Sequence, residues 1–179
     1  MMDDNRDANM SELVLRHATD ADAGEAWRIL DAARRRMLAA GKRQWSMEYP
    51  SPANVEADIS AGTAIVAVDR SGRMSGYCSA PLTGEAAYDN IDGRWLTDGE
   101  PYLTVHRLAV APEALRRGVA SEMMRRLENY AVDEGMHSIR IDTNYDNEAM
   151  LRMLERLGYS GCGVVRYASG ERMAFEKKL

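Results

Sequence analysis

The sequence predicts an α/β (α+β) fold, a mixed and mostly antiparallel sheet with helices on both faces. Three observations lead there. Apolar–polar alternation and short apolar runs mark strands, and apolar residues at three-to-four spacing mark helices. A strand–helix–strand unit spans 102–143; such a crossover is right-handed and makes a parallel pair. Two hairpins, at 63–81 and 161–177, supply antiparallel pairs.

Glu12 to His17 alternates and reads as the first strand. Thr19 and Asp22 have the spacing of a capping box, with Asp in place of the usual Glu or Gln. The helix behind them carries Ala26, Trp27, Leu30, Ala33, Met37 and Ala40 on one face and stops near Gly41. Arg34, Arg35 and Arg36 are expected on its wet side. Ser51-Pro52 opens a short helix that Gly62 closes. Thr63–Val68 and Met74–Pro81 are strands around the turn Asp69-Arg70-Ser71-Gly72. Residues 83–100 are rich in Gly, Asp and Asn and read as a long loop, which in a compact domain is functional or mobile. Tyr102–Val110, a helix over 117–134, a strand over 137–143, a helix over 147–157 and the closing hairpin around Ser169-Gly170 complete the chain.

The chain has 179 residues, which fits a single domain over 12–179 behind a polar tail at 1–11. It is 45% hydrophobic and 28% charged, which excludes a disordered or fibrous chain. No apolar run is long enough to span a bilayer, and the acidic first residues lack the apolar stretch of a signal peptide, so no membrane partner is expected. The net charge of −5 argues against nucleic acid and leaves room for a cationic substrate. Cys78 and Cys162 lack metal-site or redox spacing, which fits free thiols in a reducing cytoplasm and no metal. A monomer or homodimer is expected.

The informative stretch runs from Leu108 to Ala120 (LAVAPEALRRGVA). A strand ends at Pro112, and a basic turn containing Gly118 enters a helix. The first N–H groups of a helix lack internal partners and sit at its positive end, a natural anion site. Gly118 permits close approach, Ala120 keeps the next turn slim, and Arg116 and Arg117 add charge. Neither a Walker loop nor a GxGxxG turn is present.

This segment resembles the phosphate loop of the GCN5-related N-acetyltransferase (GNAT) superfamily, Arg/Gln-x-x-Gly-x-Gly/Ala after Leu-x-Val-x-Pro. Here Leu108-x-Val110-x-Pro112 precedes Leu115-Arg116-Arg117-Gly118-Val119-Ala120, with Leu115 at the first position. Leu15–Ala23, Ile139–Thr143 and Asn147 through Leu157-Gly158-Tyr159 resemble the family's opening, its strand after the phosphate helix and its Asn-containing helix. Gly41–Trp45 followed by Tyr49-Pro50 is similar to a bacterial subgroup of uncharacterised activity.

The resemblance implies transfer of acetyl from acetyl-CoA to a primary amine of a small molecule, amino acid or peptide. It also implies a bulged central strand that splays from its parallel neighbour around the pantetheine arm. Leu108, Ala109 and Val110 would hold that arm; Arg116, Arg117, Gly118, Val119 and Ala120 the pyrophosphate; Asn147 the other wall. A backbone N–H near Val110 would face the thioester oxygen. The family's usual proton donor, a Tyr seven residues after the helix Asn, falls on Leu154, so Tyr145 and Tyr159 are the nearby alternatives, beside water or no acid. Base candidates are His106, Glu100, Asp92 and Asp98. His106 has a suitable ordinary pKa and, by strand parity, shares a face with Leu108 and Val110. Trp45, Tyr49 and Asp92 are the candidate acceptor contacts. A non-catalytic acyl-CoA-binding module and a protein-modifying acetyltransferase are the competing readings; a peptide-sized groove between the Trp45 segment and the closing hairpin would favour the latter.

Overall fold

The computed structural model describes residues 13–179. The tail expected at 1–11, and Glu12 of the first strand, lie outside the described residues. Strand β1 is Val14–His17, helix α1 Ala23–Ala39, α2 Pro52–Ser60, β2 Ala64–Val68, β3 Met74–Ser79 and β4 Asp92–Gly93. Then follow β5 Tyr102–Val110, α3 Val119–Asp133, β6 Ser138–Thr143, α4 Glu148–Arg156, β7 Ser160–Tyr167 and β8 Gly170–Lys178.

Local chemistry sets the helix ends. The Asp22 carboxylate accepts from the Thr19 N–H at 2.7 Å, as the capping-box spacing predicts, although a short 3-10 turn over Asp20–Asp22 precedes α1. Asn54 does the same for Ser51 at the start of α2, at 2.8 Å. Gly41 and Gly62 follow α1 and α2 at φ +72° and +71°, a conformation that costs glycine little.

The eight strands form one sheet in the order β1-β2-β3-β5-β6-β8-β7-β4. Every pair is antiparallel except β5–β6. On β3, a Cβ at Gly76 would meet the Met123 sulfur of α3, while the next residue, Tyr77, bonds Asp58 of α2. Successive strand residues face opposite ways, so α2 and α3 cover opposite faces. Ile29, Leu30, Val66, Leu103, Met123, Leu127 and Ile139 are fully buried in the main core.

The segment read as a long loop is tied down. It holds a 3-10 turn over Ala86–Tyr88 and the short strand β4, which pairs with β7. Tyr88 is buried, with Trp95 and Tyr102 stacked around it at 4.9 and 6.2 Å. Fully buried Glu176 accepts from Thr97 Oγ1 (2.5 Å), Ser138 Oγ (2.6 Å) and Arg140 Nε (3.0 Å). Burial alone would raise the Glu176 carboxyl, but these donors outweigh it and hold the group below the usual carboxylate range. Composition foretold the loop's polarity; the aromatic and acidic anchors that pin it lie up to 80 residues away in sequence. No helix among the described residues is long and apolar enough to cross a membrane.

Candidate active site

The central strand changes partner halfway. Tyr102–Val105 pairs with β6 in parallel, ending at Val105↔Ile141. Beyond that point only β3 accompanies β5, through Ser79↔His106, Tyr77↔Ala109 and Gly76↔Val110. One extra residue on β5 makes a bulge. Arg107 lies in it at φ +54°. A gap therefore opens between the upper half of β5 and the end of β6.

The N–H of Ala111 donates to the Ser75 carbonyl at 2.9 Å. Ladder alternation then turns the polar groups of Val110 away from β3, into the gap. Arg36 of α1 reaches the Val110 carbonyl there at 3.2 Å, and burial lowers its pKa from the ordinary value.

At the top of β5 the chain turns through Pro112–Ala114 into α3. Arg116 (φ +60°) and Gly118 (φ +78°) both adopt left-handed conformations. Arg107 and Arg116 are the two non-glycine residues with positive φ among the described residues. Such conformations cost on the order of 1–3 kcal/mol and collect at functional sites. Among the described residues, nothing accepts a hydrogen bond from the backbone N–H groups of 116–121. With Arg116 and Arg117 exposed beside them, these groups suit a diphosphate.

The α2 face of the gap is lined by side chains. Asp58 of α2 accepts from Tyr77 Oη (2.5 Å), Ser79 Oγ (3.0 Å) and both arms of the Arg107 fork (Nη2 2.6 Å, Nε 3.1 Å). Burial would lower the Arg107 pKa, but Asp58 outweighs it and keeps the guanidinium charged. Burial and then Asp58 raise the Tyr77 phenol. His106 Nε2 lies 2.9 Å from Glu85 Oε2. That bond, against burial, holds Glu85 below the usual carboxylate range. An ionised carboxylate can only accept, so Nε2 carries the hydrogen and Nδ1 of a neutral ring keeps its lone pair. Asp142, one residue past the last β5–β6 pair, accepts from Tyr88 Oη (2.8 Å) and Tyr167 Oη (2.7 Å) on the same oxygen, Oδ2. Burial first, and then the Asp142 charge, push both phenols up.

The segment 42–50 straps this face. The Gln44 side-chain oxygen accepts from Thr143 Oγ1 (3.1 Å) and the Asn144 N–H (3.0 Å). Arg172 of β8 donates to the Gln44 carbonyl at 3.3 Å. On the other wall, Arg107 Nη1 donates to Tyr49 Oη at 3.0 Å. Arg34 ties the strap to α1 through the carbonyls of Met47 and Pro50.

A parallel pair that parts below a helix N-terminus with uncommitted N–H groups agrees with the comparison of the sequence against known families. The profile of the acetyltransferase (GNAT) family matches residues 27–159.

The chain belongs to this family.

A GNAT-family acetyltransferase from Streptococcus agalactiae is 30% identical, with a TM-score of 0.84 over 93% of this chain and 95% of that one. One from Listeria monocytogenes is 20% identical at TM-score 0.75 over the same shares. The spermidine N-acetyltransferase of Vibrio cholerae, solved with CoA and spermine, is 16% identical at TM-score 0.66, over 94% of this chain and 96% of that one. The last two show the fold alone.

Within this GNAT fold, Leu108, Ala109, Val110 and the turn 116–120 adjoin the gap and its upper end. Asn147 caps α4 through Met150 N (3.4 Å) and donates to Thr143 Oγ1 (3.1 Å). His106 stands at the parting of the strands, but not on the face that parity predicts. The bulge resets the alternation. His106 opposes Ser79 and Ala109 opposes Tyr77, so those two share the α2 face and Val110 does not. Glu100 precedes β5, at the end remote from the gap, with His137 Nδ1 2.5 Å away. Asp92 lies on β4 at the sheet edge, paired with Arg166 at 3.2 Å. Neither reaches His106. Tyr145 is 70% exposed; Trp45 is buried in the core and Tyr49 faces Arg107.

Arg34 and Arg36 are not on a wet face: Arg34 is buried and Arg36 reaches Val110. The sequence reading passed over Asp58, Glu85, Arg107, Asp142 and Tyr167. One signal existed: Asp58 lies three residues after Val55, on the buried stripe of α2.

Proposed function

We propose that the protein transfers an acetyl group from acetyl-CoA to a primary amine of a small molecule, in the gap between β5 and β6. One conjunction carries the reading: uncommitted N–H groups at 116–121 above a gap into which Val110 turns its own N–H and carbonyl. The diphosphate would rest on the turn before α3. The pantetheine arm would lie along β5 as an added strand beside Leu108, Ala109 and Val110. The Val110 N–H would then meet the thioester oxygen as negative charge develops.

An alkylamine is mostly protonated at neutral pH. His106 Nδ1 would take a proton while Glu85 holds Nε2. The amine nitrogen then bonds the carbonyl carbon and gives up its second proton to solvent, the carbon–sulfur bond breaks, and CoA leaves as the thiolate.

Two features favour a small, cationic acceptor. The strap meets the closing hairpin through the Arg172–Gln44 bond, which joins the two at that point, where a peptide would need an open channel. Asp142 and Glu85 put negative charge beside His106, and Tyr49 and Tyr167 add aromatic surface. This role for Asp142 and Glu85 replaces the one expected of Asp92. Structures sharing the fold include an agmatine N-acetyltransferase and the spermidine enzyme, which fits such an acceptor.

Thiol release from acetyl-CoA, measured across cationic, neutral and anionic amines with product mass confirmed, tests the reading. Turnover with a cationic amine is the expected result. Acetyl-CoA binding without release for any amine would favour a non-catalytic module, and turnover only with peptides would favour protein modification.

A further inference from the structure

We propose that Tyr49 is the acid that protonates the departing thiolate, with Arg107 as its positioning residue. This rests on the acyl-transfer reading above. Three phenols around the gap give their hydrogen to a carboxylate. Tyr88 and Tyr167 both donate to Asp142, and Tyr77 donates to Asp58. A phenol that donates to a carboxylate holds its proton more tightly, because loss of the proton would set two negative charges side by side. None of these three suits proton delivery to a thiolate. Leu154, where the helix tyrosine of the family would stand, is fully buried and has no proton to give.

Tyr49 is arranged the other way round. Its oxygen accepts from Arg107 Nη1, and among the described residues nothing accepts its hydrogen. A guanidinium donor to a phenol oxygen gains strength as that oxygen becomes negative, so Arg107 stands where it would hold the oxygen left after proton transfer. Asp58 engages Nε and Nη2 of the same fork and leaves Nη1 for Tyr49. Arg107 occupies the bulge where β5 leaves β6, so the pair stands at the gap itself. Tyr49 is 41% exposed, which gives its hydroxyl an open side. The charged and titratable groups placed against it are Arg107 and, through it, Asp58, and Tyr167 lies within its electrostatic reach.

The balance of the step is simple. The carbon–sulfur bond of the tetrahedral adduct breaks, and its electron pair goes to sulfur. The Tyr49 proton passes to that sulfur, giving neutral CoA thiol. The phenolate, held by Arg107, recovers a proton from solvent.

The test compares wild type, Tyr49→Phe and a protein carrying 3-fluorotyrosine at position 49, over a pH series with acetyl-CoA and the best amine. Tyr49→Phe should lower kcat about 100-fold. It should leave KM for acetyl-CoA within about twofold, since the lost interaction belongs to the transition state. The alkaline limb of kcat should vanish in Tyr49→Phe and move to lower pH with the more acidic fluorinated phenol, which a purely structural role would not produce. A Tyr49→Phe kcat within about threefold of wild type would overturn the proposal. So would an unmoved limb in the fluorinated protein, or a large loss in Tyr145→Phe with normal Tyr49→Phe. Those results leave acyl transfer standing, whereas a wild type that binds acetyl-CoA and releases no thiol with any amine would sink both.

Discussion

On the side of the gap proposed for the cofactor the chain offers backbone, and on the side proposed for the acceptor it offers side chains. The turn 116–121 and Val110 present N–H and carbonyl groups from one continuous run of β5 and α3. The α2 face instead gathers Tyr49, Asp58, Glu85, His106, Arg107, Asp142 and Tyr167 from six separate places in the sequence. A backbone site needs only the right turn, so Leu115 in place of the family's Arg or Gln is expected to leave it intact. A side-chain site needs every contributor placed by the whole sheet.

That contrast should show in mutants, and the acceptor side should lose catalysis while keeping the cofactor. His106→Gln should lower kcat by about 100-fold or more, the scale of a lost general base, with acetyl-CoA affinity by calorimetry unchanged. A weakened affinity would mean that the two sides are one site. Asp58→Asn should cost about 3 kcal/mol of stability, because it strips the charge partner from half-buried Arg107. Denaturant unfolding measures this; a loss below about 1 kcal/mol would mean that Arg107 finds another partner.

The next effect concerns the scaffold under both sides. Glu176→Gln should cost about 2 kcal/mol near neutral pH, the scale of hydrogen bonds to a charged group. The folded Glu176 carboxyl is held below its unfolded value. Its contribution is therefore fully present above the unfolded pKa and fades as pH falls through the folded one. Wild type and variant should converge in stability in acid; a constant difference down to the folded pKa would contradict this. The smallest effect is on recognition. Asp142→Asn should raise KM for a cationic amine about tenfold, the scale of a single partly exposed charge contact, with little change for a neutral amine.

The same contrast explains what could be read in advance. The parallel unit at 102–143, the capping box at Thr19 and the glycine turn into α3 are local patterns, and each lies where the spacing predicts. Parity failed at His106 because a bulge adds a residue without leaving a mark in composition. Glu100 and Asp92 looked suitable by charge alone, yet pair with His137 and Arg166. Asp142 lies inside a strand read as framework, and only its step past Ile141 puts it at the gap. Arg34 and Arg36 looked solvated until the strap and Val110 came within their reach.

Acetyl-CoA affinity in wild type and Gly118→Glu tests the account most directly. Gly118 holds φ +78° at the head of α3, where a glutamate would bring both strain and a negative charge to the proposed diphosphate seat. Calorimetry on the folded variant should show affinity weakened about 100-fold or more, the scale of opposed charge combined with a blocked close approach. Equal affinity in both proteins would contradict the assignment of the cofactor to this turn.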